Sequence, residues 1–269
     1  MMALGEQIPI KTRREIETMR IANRHVAEIL LELREMVKPG VTTGDLDRYA
    51  ERAIKDRGVQ SSFKGYDPHG LPKYPAVVCA SVNDEIVHGI PGERELKQGD
   101  IIGIDFGVSV DGYHGDSAVT LPVGEVESEA TRLLDTTSAA LTLAIEEMQP
   151  GRRLSDIGHA VQSHVERHGY SVVREFVGHG VGTSLHEDPQ VPNFGRPGRG
   201  KRLQAGLVIA IEPMVNAGGA DVQVDDDGWT ARTKDGSLSA HFEYSVAVTD
   251  AGPWILGLDR EASAHAVGA

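Results

Sequence analysis

The sequence predicts an α/β (α+β) domain of two similar halves, with an antiparallel sheet core and helices outside. Two observations predict it. The first is the stretch Gly99–Thr120, GDIIGIDFGVSVDGYHGDSAVT. Ile102, Ile104, Phe106, Val108 and Val110 alternate there with Ile101, Gly103, Asp105, Gly107 and Ser109, the period of a half-buried strand. Asp111-Gly112 supplies the two-residue turn of a β-hairpin, because both positions tolerate positive φ. The second is an internal repeat. KPGVTTGDLDRYAERAIKDRG (Lys38–Gly58) aligns without gaps with QPGRRLSDIGHAVQSHVERHG (Gln149–Gly169), and GDIIGIDF (Gly99–Phe106) aligns with GLVIAIEP (Gly206–Pro213). Two halves of helices feeding antiparallel strands bury their sheet faces best as one pseudo-twofold domain.

Residues 1–10 read as a lead-in. Lys11–Lys38 reads as a helix whose apolar stripe is Met19, Ala22, Val26, Ile29, Leu30, Leu33 and Val37, stopped by Pro39-Gly40. A second helix runs from about Thr43 to Arg57 and ends at Gly58. Residues 59–75 read as a loop, and Ala76–Ser81 and Glu85–His88 as strands joined at Asn83-Asp84. The hairpin follows, then helices over Glu127–Met148 and Arg153–His168. From Tyr170 the pattern is mostly strand: Tyr170–Phe176, Leu207–Val215, Asp221–Val224, Trp229–Thr233 and Leu238–Thr249. The expected organisation is one domain over 11–258, with halves at 11–124 and 125–258, and a flexible tail over 259–269.

The 269 residues are 40% hydrophobic, enough to bury a core. A net charge of −13 argues against a nucleic-acid partner bound through phosphates. Cys79 alone rules out an internal disulfide and suits a reducing compartment, so the cytoplasm is expected. No apolar run suggests a signal peptide or a membrane span.

The hairpin places two carboxylates together. With the turn at Asp111-Gly112, Asp105 faces Ala118 and Asp116 becomes its diagonal neighbour on the same face. Gly103, Gly107 and Ala118 leave room beside them. Two like charges held that close call for a cation or a proton unless the face is solvated. Glu212 ends the apolar run Leu207–Ile211 and aligns with Asp105 in the repeat. Glu243 points to the polar side of LSAHFEYSVAVT. GHGVGTSLHEDPQVPNFG (Gly178–Gly195) adds His179 and His186. Each alone fits an ordinary surface or turn residue. Taken together, Asp105, Asp116, His179, Glu212 and Glu243 form a hard donor set without thiolate, suited to two catalytic divalent ions of Co, Mn, Fe(II) or Zn.

Other acidic and imidazole clusters read differently. His164 and His168 flank the apolar face of their helix and are expected to be solvated. Asp225-Asp226-Asp227-Gly228 reads as a turn. His114 and His241 lie two residues before Asp116 and Glu243, on the same strand faces, where either a supporting contact or a solvated ring is expected.

NDEIVHGIP (Asn83–Pro91), DFGVSVDGYHGD (Asp105–Asp116), GHGVGTSLHEDPQVPNFG, IEPMV (Ile211–Val215) and SLSAHFEYSVAVT (Ser237–Thr249) together resemble, in order and spacing, the type I methionine aminopeptidases, over roughly Ile10 to Leu256. The resemblance implies the pita-bread fold and removal of N-terminal methionine ahead of a small second residue. It implies Asp105, Asp116, His179, Glu212 and Glu243 as metal ligands, with Asp116 and Glu243 bridging. It implies Glu212 as general base, His88 and His186 as substrate-contacting catalytic histidines, and Cys79, Tyr66, Leu185 and Trp229 around the methionine side chain. The partners implied are the N-termini of nascent chains, with ribosome docking open; a monomer is expected. The chain departs from the family pattern at Gly107, where threonine is usual, at Leu185, where phenylalanine is frequent, and in the length of Tyr66–Pro75. A proline-specific aminopeptidase or dipeptidase of the same fold is the alternative enzyme, and a non-catalytic binding protein of this fold the alternative from another class.

Overall fold

The computed structural model describes residues 8–67, 72–260, 262 and 263. In chain order the elements are α1 (Arg13–Met36), α2 (Thr43–Arg57), β1 (Gln60–Ser61), β2 (Val78–Val82), β3 (Glu85–Val87), β4 (Ile101–Val110), β5 (Tyr113–Pro122), α3 (Ser128–Glu146), α4 (Leu154–Arg167), β6 (Ser171–Val172), β7 (Gly178–Gly180), β8 (Glu187–Val191), β9 (Val208–Ile211), β10 (Met214–Asn216), β11 (Val222–Val224), β12 (Ala231–Thr233), β13 (Ser239–His241), β14 (Glu243–Thr249) and β15 (Gly252–Ile255).

The helices begin where their caps dictate. Thr12 accepts the N–H of Glu15 and Glu15 accepts that of Thr12, so α1 starts after Thr12 rather than at Lys11. Thr42 and Asp45 repeat the arrangement at α2. At α4, Asp156 accepts the Arg153 N–H at 2.8 Å. Gly58 takes φ +66° and closes α2 in the left-handed region.

Among the described residues the main sheet runs β1-β4-β5-β14-β9-β7-β8, with β2 also on β4 and β15 on β14. Every pairing in it is antiparallel. Two three-stranded sheets, β13-β10-β6 and β11-β12-β3, extend it. Val26, Ile29, Leu33 and Leu46 of α1 and α2 pack on Ile104, Phe106 and Val108 of β4. Leu133, Leu141, Ile145 and Val161 of α3 and α4 pack on Ile209 and Val246 of β9 and β14. Each such fully buried aliphatic side chain contributes about 1.5–3 kcal/mol. The helices therefore cover one face of the sheet, and the alternate residues of β4 and β5 face the other way.

Two long strands expected from sequence are each broken. Leu207–Val215 divides at Glu212-Pro213, because proline has no N–H for a ladder. Leu238–Thr249 divides at Phe242. The breaks lie opposite each other: Tyr244 pairs with Ile211 in the main sheet and His241 with Met214 in the smaller one. Both chains thus change sheet at the same level, which leaves Glu212 and Glu243 at the bend. Of Tyr170–Phe176 only Ser171–Val172 is strand. β7 and β8 arise from the stretch whose glycines suggested a turn. The Asp225–Asp227 turn is present, with Gly228 N–H donating to the Asp225 carbonyl at 3.0 Å. The described part of the tail is anchored, since Ile255 N–H donates to the buried Ser263 hydroxyl at 2.9 Å.

Candidate metal centre and substrate cavity

The hairpin register places Asp105 opposite Ala118 and Gly107 opposite Asp116. The two carboxylates are therefore diagonal neighbours on the face turned away from the helices. Glu243, the first residue of β14, pairs with Ala118 across the centre of the sheet. Two serine hydroxyls lock this junction: Ser117 donates to the Glu243 carbonyl at 2.6 Å and Ser245 to the Asp116 carbonyl at 3.0 Å. His179 stands on β7 opposite Ala210. The glycines around it serve the neighbouring strands. A Cβ on Gly178 would lie 2.4 Å from the Ala210 carbonyl oxygen, and one on Gly180 2.3 Å from that of Asp188.

Asp116, His179 and Glu243 are buried, and their ligand atoms lie within 4.8 Å of one another. His179 Nε2 is 3.5 Å from Glu212 Oε1 and 4.0 Å from Asp116 Oδ2. His179 Nδ1–H donates to the Gly180 carbonyl at 2.8 Å, which assigns the tautomer and leaves the Nε2 lone pair facing the acids. Asp105 Oδ1, Asp116 Oδ1 and Glu243 Oε1 are fully buried without a hydrogen-bond partner among the described residues.

Burial pushes the Asp105 carboxyl up to about 7. Burial, and then the neighbouring acids, raise Asp116, Glu212 and Glu243 well above the carboxylate range. Burial lowers His179 to about 4, so its ring is neutral. Orphaned acceptor oxygens, mutual repulsion and a neutral imidazole lone pair aimed at one space fit divalent cations.

The same cavity, about 600 Å³, is lined by all five of these residues and by His88, His186, Tyr66, Cys79, Leu185 and Trp229. His88 holds φ +62°, rare for a residue with a side chain, and its ring meets Phe176 and Trp229 edge-on at 5.3 and 6.1 Å. His186 pairs through Nδ1 with the Tyr66 hydroxyl, and its ring centre is 4.2 Å from that of His179. Burial first, then neighbouring imidazoles, lower His88 to about 4 and His186 to about 3. Trp229 is fixed by Asp227, which accepts its N–H at 2.8 Å, and by its indole N–H to the Pro72 carbonyl at 2.8 Å. Burial, and then the Asp105 carboxylate, raise the Cys79 thiol.

Sequence reasoning missed Tyr74, Phe63 and Phe176 in the cavity wall. Tyr74 donates to the Val78 and Gly89 carbonyls and its ring meets Trp229 at 5.1 Å. No periodicity marks these loop positions. Of the histidines weighed earlier, His241 is buried with Nε2 3.7 Å from Glu212 Oε2. His114 instead pairs through Nδ1 with the Ser62 hydroxyl at 2.8 Å. The rings of His164 and His168 have centres 4.4 Å apart, His164 half-buried and His168 exposed, and neither lines this cavity.

A curled antiparallel sheet with an acidic, imidazole-bearing hollow on its open face defines a metal-dependent hydrolase. The profile of metallopeptidase family M24 matches residues 17–250, and the chain belongs to that family. It is 52% identical to methionine aminopeptidase 1 of Bacillus subtilis over 242 residues, 90% of this chain and 96% of that one. It is 50% identical to the methionine aminopeptidase of Clostridium perfringens, over 93% of this chain and 99% of that one. The crystal structure of a Thermotoga maritima methionine aminopeptidase superposes with a TM-score of 0.90 at 44% identity, covering 94% of this chain and all of that one. A Xaa-Pro dipeptidase of Bacillus anthracis shares the fold at a TM-score of 0.73 and 20% identity, and this chain covers 61% of it.

Proposed function

We propose that this protein is a metalloaminopeptidase that removes the N-terminal methionine from polypeptides with a small second residue. One observation carries the reading. The buried acids Asp116 and Glu243, together with His179, share a single cavity with a wall of Tyr66, Cys79, Leu185 and Trp229, so a charged floor meets an apolar slot beside it. The floor attracts a free amino terminus, and the slot takes an unbranched thioether side chain. A proline-specific activity is the weaker reading, because likeness to those enzymes is confined to the fold.

Asp105, Asp116, His179, Glu212 and Glu243 would hold divalent ions of Co, Mn, Fe(II) or Zn, two by this proposal. Such ions, when bound, polarise the scissile carbonyl and make water acidic. Glu212, with His179 on one oxygen and His241 near the other, accepts the proton of the attacking water. His186, neutral and held at Nδ1 by Tyr66, turns Nε2–H toward the oxyanion. His88, pinned between Phe176 and Trp229, faces the departing amide nitrogen and hydrogen-bonds it. The substrates proposed are the ends of newly made chains in the cytoplasm; no helix among the described residues is long and apolar enough to cross a membrane.

The test is turnover on a Met-X-Ser series and on a Xaa-Pro peptide, after loading separately with Mn, Fe(II), Co and Zn. Cleavage of Met-Ala-Ser with fall-off as X grows is expected. Cleavage of the Xaa-Pro peptide alone contradicts the assignment.

A further inference from the structure

Lys11 and Glu187 form an ion pair for which the reaction above has no use. They are 176 positions apart in the chain, and their side chains are only 6% and 11% exposed. Glu187 follows His186 directly and lines the cavity. Its Oε1 accepts the N–H of Thr183 at 2.8 Å and of Ser184 at 3.2 Å, so the carboxylate closes the loop that carries His186. Its Oε2 takes the Lys11 ammonium. Burial raises the Glu187 carboxyl, but the Lys11 ammonium and the two amides outweigh it and hold the group below its usual range.

Lys11 is itself held, with its backbone N–H donating to the Gly206 carbonyl at 2.7 Å. Two glycines from separate segments make its berth. A Cβ on Gly182 would lie 2.6 Å from Lys11 Nζ and 2.4 Å from Glu187 Oε1, and a Cβ on Gly206 would lie 2.7 Å from the Lys11 carbonyl oxygen. The Gly182 carbonyl also accepts the His114 N–H at 2.8 Å, tying the loop to β5. A buried ion pair gains little net stability, because desolvation offsets its attraction; what it can do is fix geometry.

We infer that Lys11 is a positioning residue: by pairing with Glu187 it ties the segment before α1 to the loop 182–187 and sets the placement of the His186 imidazole over the cavity. This rests on the proposed role of His186 in aminopeptidase turnover.

The test compares Lys11→Met, Lys11→Arg and the double variant K11M/E187Q with the parent. Metal-loaded proteins are assayed on Met-Ala-Ser for kcat and KM, with bound metal measured. Zinc-loaded, 15N-histidine-labelled proteins are examined by NMR. Lys11→Met is expected to lower kcat about tenfold with KM within about threefold. Its metal content should match the parent, and the His186 ring signals should shift while those of His25 and His168 stay. Lys11→Arg should regain most of kcat. If Lys11→Met fails to fold, the double variant decides. It buries no charge and keeps an amide oxygen for Thr183 and Ser184, and it should show the same loss of kcat. Parental kcat in either folded Lys11→Met protein overturns the inference, as does an unmoved His186 signal or a fall in kcat that tracks lost metal. A parent inert toward Met-Ala-Ser refutes the aminopeptidase reading instead, and the His186 signals then judge the positioning claim alone.

Discussion

The two walls of the cavity are built in different ways. The charged wall stands on paired strands: Asp105 on β4, Asp116 on β5, His179 on β7, and Glu212 and Glu243 where β9 ends and β14 begins. Backbone ladders set the spacing of these groups, and crossed serine hydrogen bonds lock the junction of β5 with β14. The apolar wall stands mainly on connections. Tyr66 and Tyr74 lie between β1 and β2, Leu185 between β7 and β8, and Trp229 in the turn between β11 and β12, whereas Cys79 on β2 and Val87 on β3 are strand residues. Side chains that must hold like charges together need a rigid frame, whereas a slot for an apolar side chain tolerates repacking.

If that division is correct, damage to the charged wall removes chemistry and damage to the apolar wall changes affinity. The largest effect is expected from Asp116→Ala and Glu243→Ala. Each should lose bound metal and lower kcat/KM by on the order of a thousandfold, read by metal analysis beside kinetics. Full activity and metal in either variant would break the assignment of that wall. His88→Asn comes next. Asparagine tolerates the left-handed backbone that His88 adopts, so the variant isolates the ring. It should cost about a hundredfold in kcat with metal retained. Trp229→Ala should mainly raise KM, by about tenfold, and cost about 3–5 kcal/mol of stability through the void it leaves. A fall in kcat at constant KM would move Trp229 into the chemistry.

The smallest effect is expected where the walls meet. Gly107 faces Asp116, and a Cβ there would lie 2.9 Å from the Phe63 ring and 3.1 Å from Asp116 Oδ1. The space that a side chain at position 107 would use is therefore already taken by Phe63. Gly107→Ala should destabilise by about 1–3 kcal/mol, measured by urea denaturation, with metal still bound. No change in stability would mean that Phe63 yields.

The same contrast explains what the sequence made legible. Alternation and the Asp111-Gly112 turn were enough to pair Asp105 with Ala118 in the correct register, because a one-residue slip would bury the wrong face. The repeat led to Glu212 because GLVIAIEP aligns with GDIIGIDF, although Asp105 lies inside β4 and Glu212 just past the end of β9. The break at Glu212-Pro213 was hidden by the unbroken apolar run before it, although Pro213 marked it. β7 was hidden for the opposite reason. Its glycines looked like turn residues, yet they answer the carbonyls of Ala210 and Asp188 on adjoining strands, a contact distant in sequence. Tyr74 and Phe63 carry no periodic signal, since loops are placed by tertiary contacts.

The account turns on five side chains holding a pair of ions in one hollow. Anomalous scattering from crystals loaded with Mn or Co measures that directly. Two peaks about 3.5–4 Å apart, enclosed by Asp105, Asp116, His179, Glu212 and Glu243 with Asp116 and Glu243 between them, are the expected result. Peaks elsewhere, or none within that ring in a catalytically active preparation, would contradict it.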